Sequence, residues 1–165
     1  MERIKKRRRR EGKTNYLRRL KILSGERPRI VVRRTNRYII GQYVKSIESN
    51  DKVEIGVTSK LLIKYGWPKE LEGSLKSIPA AYLTGLLLGK TILEKDKKSS
   101  PIVDFGIQRA VHKSRIFAFN NGLIDSGLKI KHNEKTLPEK ERLKGIHVKK
   151  DVEKILNEVK EKILK

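Results

Sequence analysis

The spacing of apolar residues changes period along this chain, and that change limits what it can fold into more than any other feature. Between residues 29 and 58 the pattern is one of short strands. Val53, Ile55 and Val57 alternate with Glu54, Gly56 and Thr58, and a period of two puts one set of side chains on a buried face and the other in solvent. Arg29 to Arg34 and Tyr38 to Ile47 read as two earlier strands. They are joined by Thr35-Asn36-Arg37, a tight hairpin in which Asn36 tolerates positive φ. With Lys52 to Thr58 following the turn at Ser49-Asn50-Asp51, three strands on short connections predict an antiparallel meander.

From Pro79 the period lengthens to that of a helix, and Ala80 to about Glu94 is apolar at a spacing of about 3.6 residues. Ala81, Gly85 and Gly89 lie four apart on one side of it. A glycine inside a helix costs about 1 kcal/mol, so the stripe predicts close backbone packing, expected here against the sheet. These glycines sit within a helix rather than between a strand and a helix, so they do not form a phosphate-cradling loop. Pro101 to Ile107 is a nearly continuous apolar run, expected of a central parallel strand covered on both faces. Ser114 is placed to cap a helix running through Ser126, with Gly127 as its stop. Thr14 is placed to cap an earlier one through about Ser24, in which Tyr16, Leu17, Leu20 and Leu23 include an apolar stripe. The order is helix, three strands, helix, strand, helix. That predicts an α/β fold with a mixed sheet and one long crossover between strands three and four. The chain divides into a basic arm over 1–13, a single α/β domain over 14–148 and a C-terminal helical extension over 149–165. In the extension Val152, Ile155, Leu156, Val159 and Ile163 form a stripe that packs either on the domain or on a partner.

Charge limits the function. The 165 residues hold 41 Lys and Arg against 19 Asp and Glu, a net of +22, an imbalance that calls for a polyanionic partner. Residues 1–37 hold 16 basic against 3 acidic side chains, and residues 38–165 hold 25 against 16. The run Lys5-Lys6-Arg7-Arg8-Arg9-Arg10 repels itself and is expected to be a mobile arm that orders when phosphates neutralise it. Basic residues continue into the predicted helix and first hairpin, which a detachable localisation signal does not need. The absence of Cys excludes disulfides and thiolate metal sites. Met1 to Arg10 runs into more charge rather than the apolar stretch of a secretory signal, and Leu83 to Leu88 is too short to span a bilayer. A soluble protein is expected, with no membrane partner, no cofactor and no homo-oligomer.

A nuclease is the competing class. Such chemistry needs clustered carboxylates to hold paired metal ions, yet the first strand offers Arg29, Arg33 and Arg34, and only Asp104 lies within a predicted central strand. An isolated buried Asp is more often a hydrogen-bonding group of the fold. His112, His132 and His147 lack close metal-ligand spacing, and a Ser114–His112 dyad has no third orienting group. No enzymatic activity is expected. The remaining alternative to a specific RNA binder is a non-specific basic nucleic-acid-binding protein, which explains the charge but not the elaborate core.

Several strings resemble a known family. Arg7-Arg-Arg-Arg-Glu-Gly-Lys-Thr-Asn-Tyr16, Pro28-Arg-Ile-Val-Val-Arg-Arg-Thr-Asn36, Lys64-Tyr-Gly-Trp67, Pro79-Ala-Ala-Tyr-Leu-Thr-Gly-Leu86, Asp104-Phe-Gly-Ile107, Ser114-Arg-Ile-Phe117 and Leu137-Pro-Glu-Lys-Glu-Arg-Leu-Lys-Gly-Ile-His147 occur in order. Together they are similar to the archaeal-type large-subunit ribosomal protein eighteen, cognate of the eukaryotic large-subunit protein five. Three departures are visible: a shorter arm, Lys113 where a glycine is common, and no equivalent for the helix after Lys149.

The resemblance implies the α/β topology of translational machinery components, ribonuclease H-like in strand order. It implies a structural role in the cytoplasmic large ribosomal subunit, bound to 5S rRNA in the central protuberance, with 23S-type rRNA and large-subunit protein five as neighbours. Carried onto this chain, the RNA-contacting arm and first hairpin correspond to Arg7, Arg8, Arg9, Arg10, Lys13, Tyr16, Arg18, Arg19, Arg33, Arg34, Asn36 and Arg37, to which the charge of the arm adds Lys5 and Lys6. Arg109, Lys113, Ser114 and Arg115 form a second candidate cluster. They lie between a strand end and a helix N-terminus, where free N–H groups and positive charge suit a phosphate.

Overall fold

Alternation in the meander sorts its side chains onto two unlike faces. In the computed structural model, which describes residues 4–47, 50–97, 99–145 and 152–164, the strands are β1 (Arg29–Arg34), β2 (Ile39–Ile47) and β3 (Asn50–Thr58). They pair antiparallel in sequence order, and a bulge shifts the β2–β3 register between Tyr43 and Val44. Ile30, Val32, Ile39, Tyr43, Ile55 and Val57 point to one side and are buried. The intervening β1 positions, Arg29, Val31 and Arg33, point to the other. The hairpin between β1 and β2 does not place Asn36 at positive φ. Thr35 holds it instead, its Oγ1 accepting from the Tyr38 N–H at 2.8 Å.

Two 3₁₀ segments, Ser59–Tyr65 and Lys69–Ser74, lead to α3 (Ile78–Lys95). Between them Trp67 is 2% exposed and closes the core edge, its Nε1 donating to the Leu71 carbonyl at 3.2 Å. Ser77 caps α3 by accepting from the Ala80 N–H at 3.4 Å, and Pro79 occupies the first turn as expected. After α3 the chain enters β4 (Ile102–Asp104), parallel to β1, so the sheet order is β3-β2-β1-β4. This corrects the expectation for Pro101 to Ile107. The strand has three residues and lies at the sheet edge. The run breaks where Gly106 takes φ +61° and Asp104 turns its carboxylate back onto the Gly106 N–H at 2.7 Å.

The helix α4 (Arg115–Asp125) crosses α3, and here the glycine stripe finds its use. The small residues face α4 rather than the sheet. A Cβ on Gly85 would stand 2.1 Å from the Phe119 carbonyl oxygen, and one on Gly122 would stand 2.0 Å from that of Tyr82. Backbone therefore meets backbone in both directions. The Phe119 ring continues the contact to the sheet and lies over Gly41.

The short α5 (Lys140–Lys144) precedes α6 (Val152–Leu164). The apolar stripe of α6 packs on the domain itself: Val152, Leu156, Val159 and Ile163 are buried against α3 and the Ser59–Tyr65 segment. Lys90 reaches its end and donates to the Ile163 carbonyl at 2.7 Å. The start of the expected extension, at 149, and His147 lie outside the described residues.

These contacts make two outcomes measurable by chemical denaturation. Gly85→Ala is expected to cost about 2–4 kcal/mol, because neither backbone can yield, whereas Gly73→Ala, which meets nothing within 4 Å, is expected to change little. Leu156→Ala is expected to cost about 2–4 kcal/mol as a buried truncation. Unchanged stability of that variant would show that α6 is not part of the core.

Candidate nucleic-acid interface

The basic arm is folded back on itself. Arg7–Arg10 form one helical turn, α1, with no buried residue, and Gly12 at φ +63° reverses the chain. The N–H groups of Lys13 and Thr14 then donate to the Arg8 carbonyl at 2.9 and 3.2 Å, while Arg8 Nε donates to Thr14 Oγ1 at 2.9 Å. Thr14 is thereby occupied, and the cap of α2 (Tyr16–Leu23) is Asn15, whose side chain accepts from the Arg18 N–H at 3.1 Å. The expected Thr14 cap is thus displaced by one residue. Lys6 places its ammonium 4.8 Å from the centroid of Tyr16, a cation–π contact that ties the arm to the helix. Tyr16 is half-buried and outside the core, and α2 buries no side chain at all. Leu17 and Leu20 are each 66% exposed, so the stripe anticipated there is not a core face.

Two basic side chains, Arg18 of α2 and Arg33 of β1, then reach toward the end of β4, while Arg19 of α2 reaches β3. Arg18 Nη1 donates to the Gly106 carbonyl at 2.9 Å. Arg33 Nη1 donates to the carbonyls of Val32 and Asp104 at 2.8 and 3.1 Å. Arg19 Nη2 donates to Asp51 Oδ2 at 2.8 Å. With Arg8 and Lys13 they line a cleft of about 420 Å³, whose floor includes Asp104, Gly106 and Gln108. A Cβ on Gly106 would stand 2.9 Å from the Arg33 guanidinium carbon, so the glycine of the Asp104-Phe-Gly-Ile107 string has both a conformational and a steric reason.

Parallel pairing explains the acid in this floor. Asp104 is in register with Val31, so its side chain emerges between Arg29 and Arg33 on the outer face. Its Oδ2 is 3.9 Å from Arg29 Nη1 and 3.6 Å from Arg33 Nη2. Arg29, 4% exposed, also donates to Asp51 Oδ1 at 2.5 Å and to Ser46 Oγ at 3.2 Å. The result is one chain of charges, Arg19–Asp51–Arg29–Asp104–Arg33, across the outer face. Arg29, Asp51, Asp104 and Gln108 were not among the residues expected in the site. The identities of Arg29 and Arg33 carried the signal, but the parallel register that brings Asp104 between them is non-local.

The other candidates are placed apart from this cleft. Lys5, Arg9 and Arg10 are exposed on the arm, and Arg7 pairs with Glu11 at 3.7 Å. Arg34, Asn36 and Arg37 project at the hairpin, where Asn36 and Arg37 line a separate cavity of about 310 Å³ with Tyr38 and Glu72. Arg109 and Arg115 flank the α4 N-terminus, with Arg109 exposed. Ser114 occupies the N-cap position without a capping bond, its Oγ buried and unpaired. Lys113 takes φ +56°, which accounts for glycine serving well there. Its ammonium pairs with Glu139, and that hydrogen bond, with the charge behind it, holds the Glu139 carboxyl below its ordinary range.

Comparison with known proteins decides the family. Residues 2–101 match the family described as ribosomal large subunit proteins 60S L5 and 50S L18. The chain is 43% identical over 142 residues to large ribosomal subunit protein uL18 of Methanospirillum hungatei, covering 86% of this chain and 78% of that one. It is 41% identical over 155 residues to the uL18 of Korarchaeum cryptofilum, covering 94% and 77%. The uL18 of Methanoregula boonei is 44% identical over 142 residues, covering 86% and 79%. The chain belongs to the uL18 family. It is therefore an archaeal-type structural protein of the cytoplasmic large ribosomal subunit, and not an enzyme.

Family membership turns the basic cleft into a candidate rRNA surface, and Asp51 makes part of that surface sensitive to acid. Burial raises its carboxyl pKa, but the hydrogen bonds from Ser46 and Arg29 and the charges of Arg29 and Arg19 outweigh it, leaving a net lowering from 3.8. A group lowered on folding contributes stability above its unfolded value and loses it as the pH falls through the folded one. The thermal midpoint of the wild type is therefore expected to exceed that of Asp51→Asn at about pH 6, and the gap to close toward about pH 3. A gap independent of pH would contradict the pairing.

Proposed function

We propose that this protein binds 5S rRNA and helps attach it to the central protuberance of the large subunit, with 23S-type rRNA and large-subunit protein five as its neighbours. The observation that carries the reading is the convergence of Arg8, Lys13, Arg18, Arg19 and Arg33 on one cleft, in a member of a large-subunit ribosomal protein family. The division of labour follows the chain: the arm over 1–13 supplies charge, the domain over 14–148 the shaped surface, and within the extension over 149–165 the helix Val152–Leu164 packs on the core. The hairpin residues Arg34, Asn36 and Arg37 and the α4 N-terminus with Arg109 and Arg115 offer further contacts apart from that cleft.

The mechanism is electrostatic and geometric. Arginine suits it because a planar guanidinium forks onto phosphate oxygens and stacks on bases, whereas lysine acts as a point charge. Each neutralised phosphate releases condensed counterions, at a log–log salt slope of roughly −0.7 to −0.9 per contact by analogy with DNA. Specificity comes from loops, bulges and shape, since an A-form major groove is too narrow for side chains to read.

Titration of the purified protein against its own 5S rRNA, a scrambled RNA of equal length and duplex DNA, at two salt concentrations, tests this. A 5S preference that survives the higher salt is expected. Arg18→Ala is expected to weaken 5S binding roughly five- to fiftyfold. Equal affinities that vanish with salt would leave a non-specific polyanion binder in its place.

A further inference from the structure

Two of the carboxylates in this basic face sit where simple electrostatics would remove them. The partner of the face is a polyanion on the reading above, and Asp51 and Asp104 repel it. Each, however, is held between arginines. Arg29 links the two, and at 4% exposure it is too deep to reach RNA. A guanidinium buried that far needs its carboxylates. The ends of the chain differ from its middle: the side chains of Arg19 and Arg33 are 42% and 40% exposed and open to a ligand. Each end is fixed from behind, Arg19 by Asp51 at 2.8 Å and Arg33 by Asp104 at 3.6 Å together with two carbonyls.

We propose that Asp51 and Asp104 are positioning residues of the RNA interface, holding Arg19 and Arg33 at a set separation through the buried Arg29. An arginine already held loses less side-chain freedom when it meets a phosphate, and a set separation matches only RNAs whose phosphates are spaced to suit. A flexible arginine binds any polyanion. The two acids therefore exchange general affinity for discrimination between RNA shapes.

Asp51→Asn, Asp104→Asn and Asp104→Glu, made in the full chain, test this by titration against its own 5S rRNA and a scrambled RNA of equal length. Both Asn variants gain a unit of positive charge, so affinity for scrambled RNA is expected to hold or rise. Affinity for 5S rRNA is expected to fall roughly five- to twentyfold, the effect of one misplaced charge-assisted contact. Asp104→Glu is expected to recover part of the preference. Thermal midpoints and circular dichroism identify any variant that fails to fold, and Asp51, with its side chain 30% exposed against 11% for Asp104, is the more accessible of the two positions. A double-mutant cycle between Asp51→Asn and Arg19→Ala is expected to be non-additive for 5S affinity. Wild-type preference for 5S with an undiminished ratio in both Asn variants would overturn the positioning role alone. A wild type without 5S preference would overturn the 5S reading, and the positioning role with it.

Discussion

Gly85 against the Phe119 carbonyl and Gly122 against the Tyr82 carbonyl bring α3 and α4 together backbone to backbone, and the remaining architecture follows from that contact. Joined this way, the helices cover one face of the sheet, with Phe119 seated over Gly41 of β2 as the link between layers. Ile30, Val32, Ile39, Tyr43, Ile55 and Val57 supply the sheet side of that core. On the other side α3 receives α6, so a segment far along the chain closes the domain. With Ile30 and Val32 of β1 committed to one face, Arg29 and Arg33 are left to the other beside Val31.

That outer face has its own constraint, the crowding of like charge. A net of +22 on 165 residues opposes compaction, and the repulsion concentrates where the arm, α2 and β1 meet. The fold answers it locally. Glu11 bridges Arg7 and Lys13, Asp51 bridges Arg19 and Arg29, and Asp104 bridges Arg29 and Arg33. Backbone carbonyls of Val32, Asp104 and Gly106 take up further guanidinium N–H groups. The exposed ion pairs contribute little to stability individually. Those around Arg29 matter more, since a buried charge without partners is costly.

Much of this was legible in the sequence, for reasons that differ by element. The meander was readable because its alternation and short turns are local, and β1 matches its expected span to the residue. Pro79 announced the start of α3, and Gly127 the end of α4, at φ +99°. The glycine stripe correctly foretold close packing, but a stripe does not name its partner, and α4 proved to be that partner. The run from Pro101 to Ile107 misled, because apolar content does not distinguish a short edge strand from a central strand between layers. In the site, the identities of Arg18, Arg19 and Arg33 were readable, whereas the roles of Arg29, Asp51 and Asp104 depend on pairings 17, 22 and 71 residues apart in the chain.

By itself the sequence determined the class of fold, the sign of the partner's charge and the family, because periodicity, composition and ordered strings are properties of local residue order. Only the tertiary structure decided that α6 belongs to the core, that the small residues of α3 meet α4, and that two aspartates stand among the arginines. Each of these is a contact between distant segments. Their residues carry no local mark of their partners until the parallel β1–β4 register and the helix crossing bring them together.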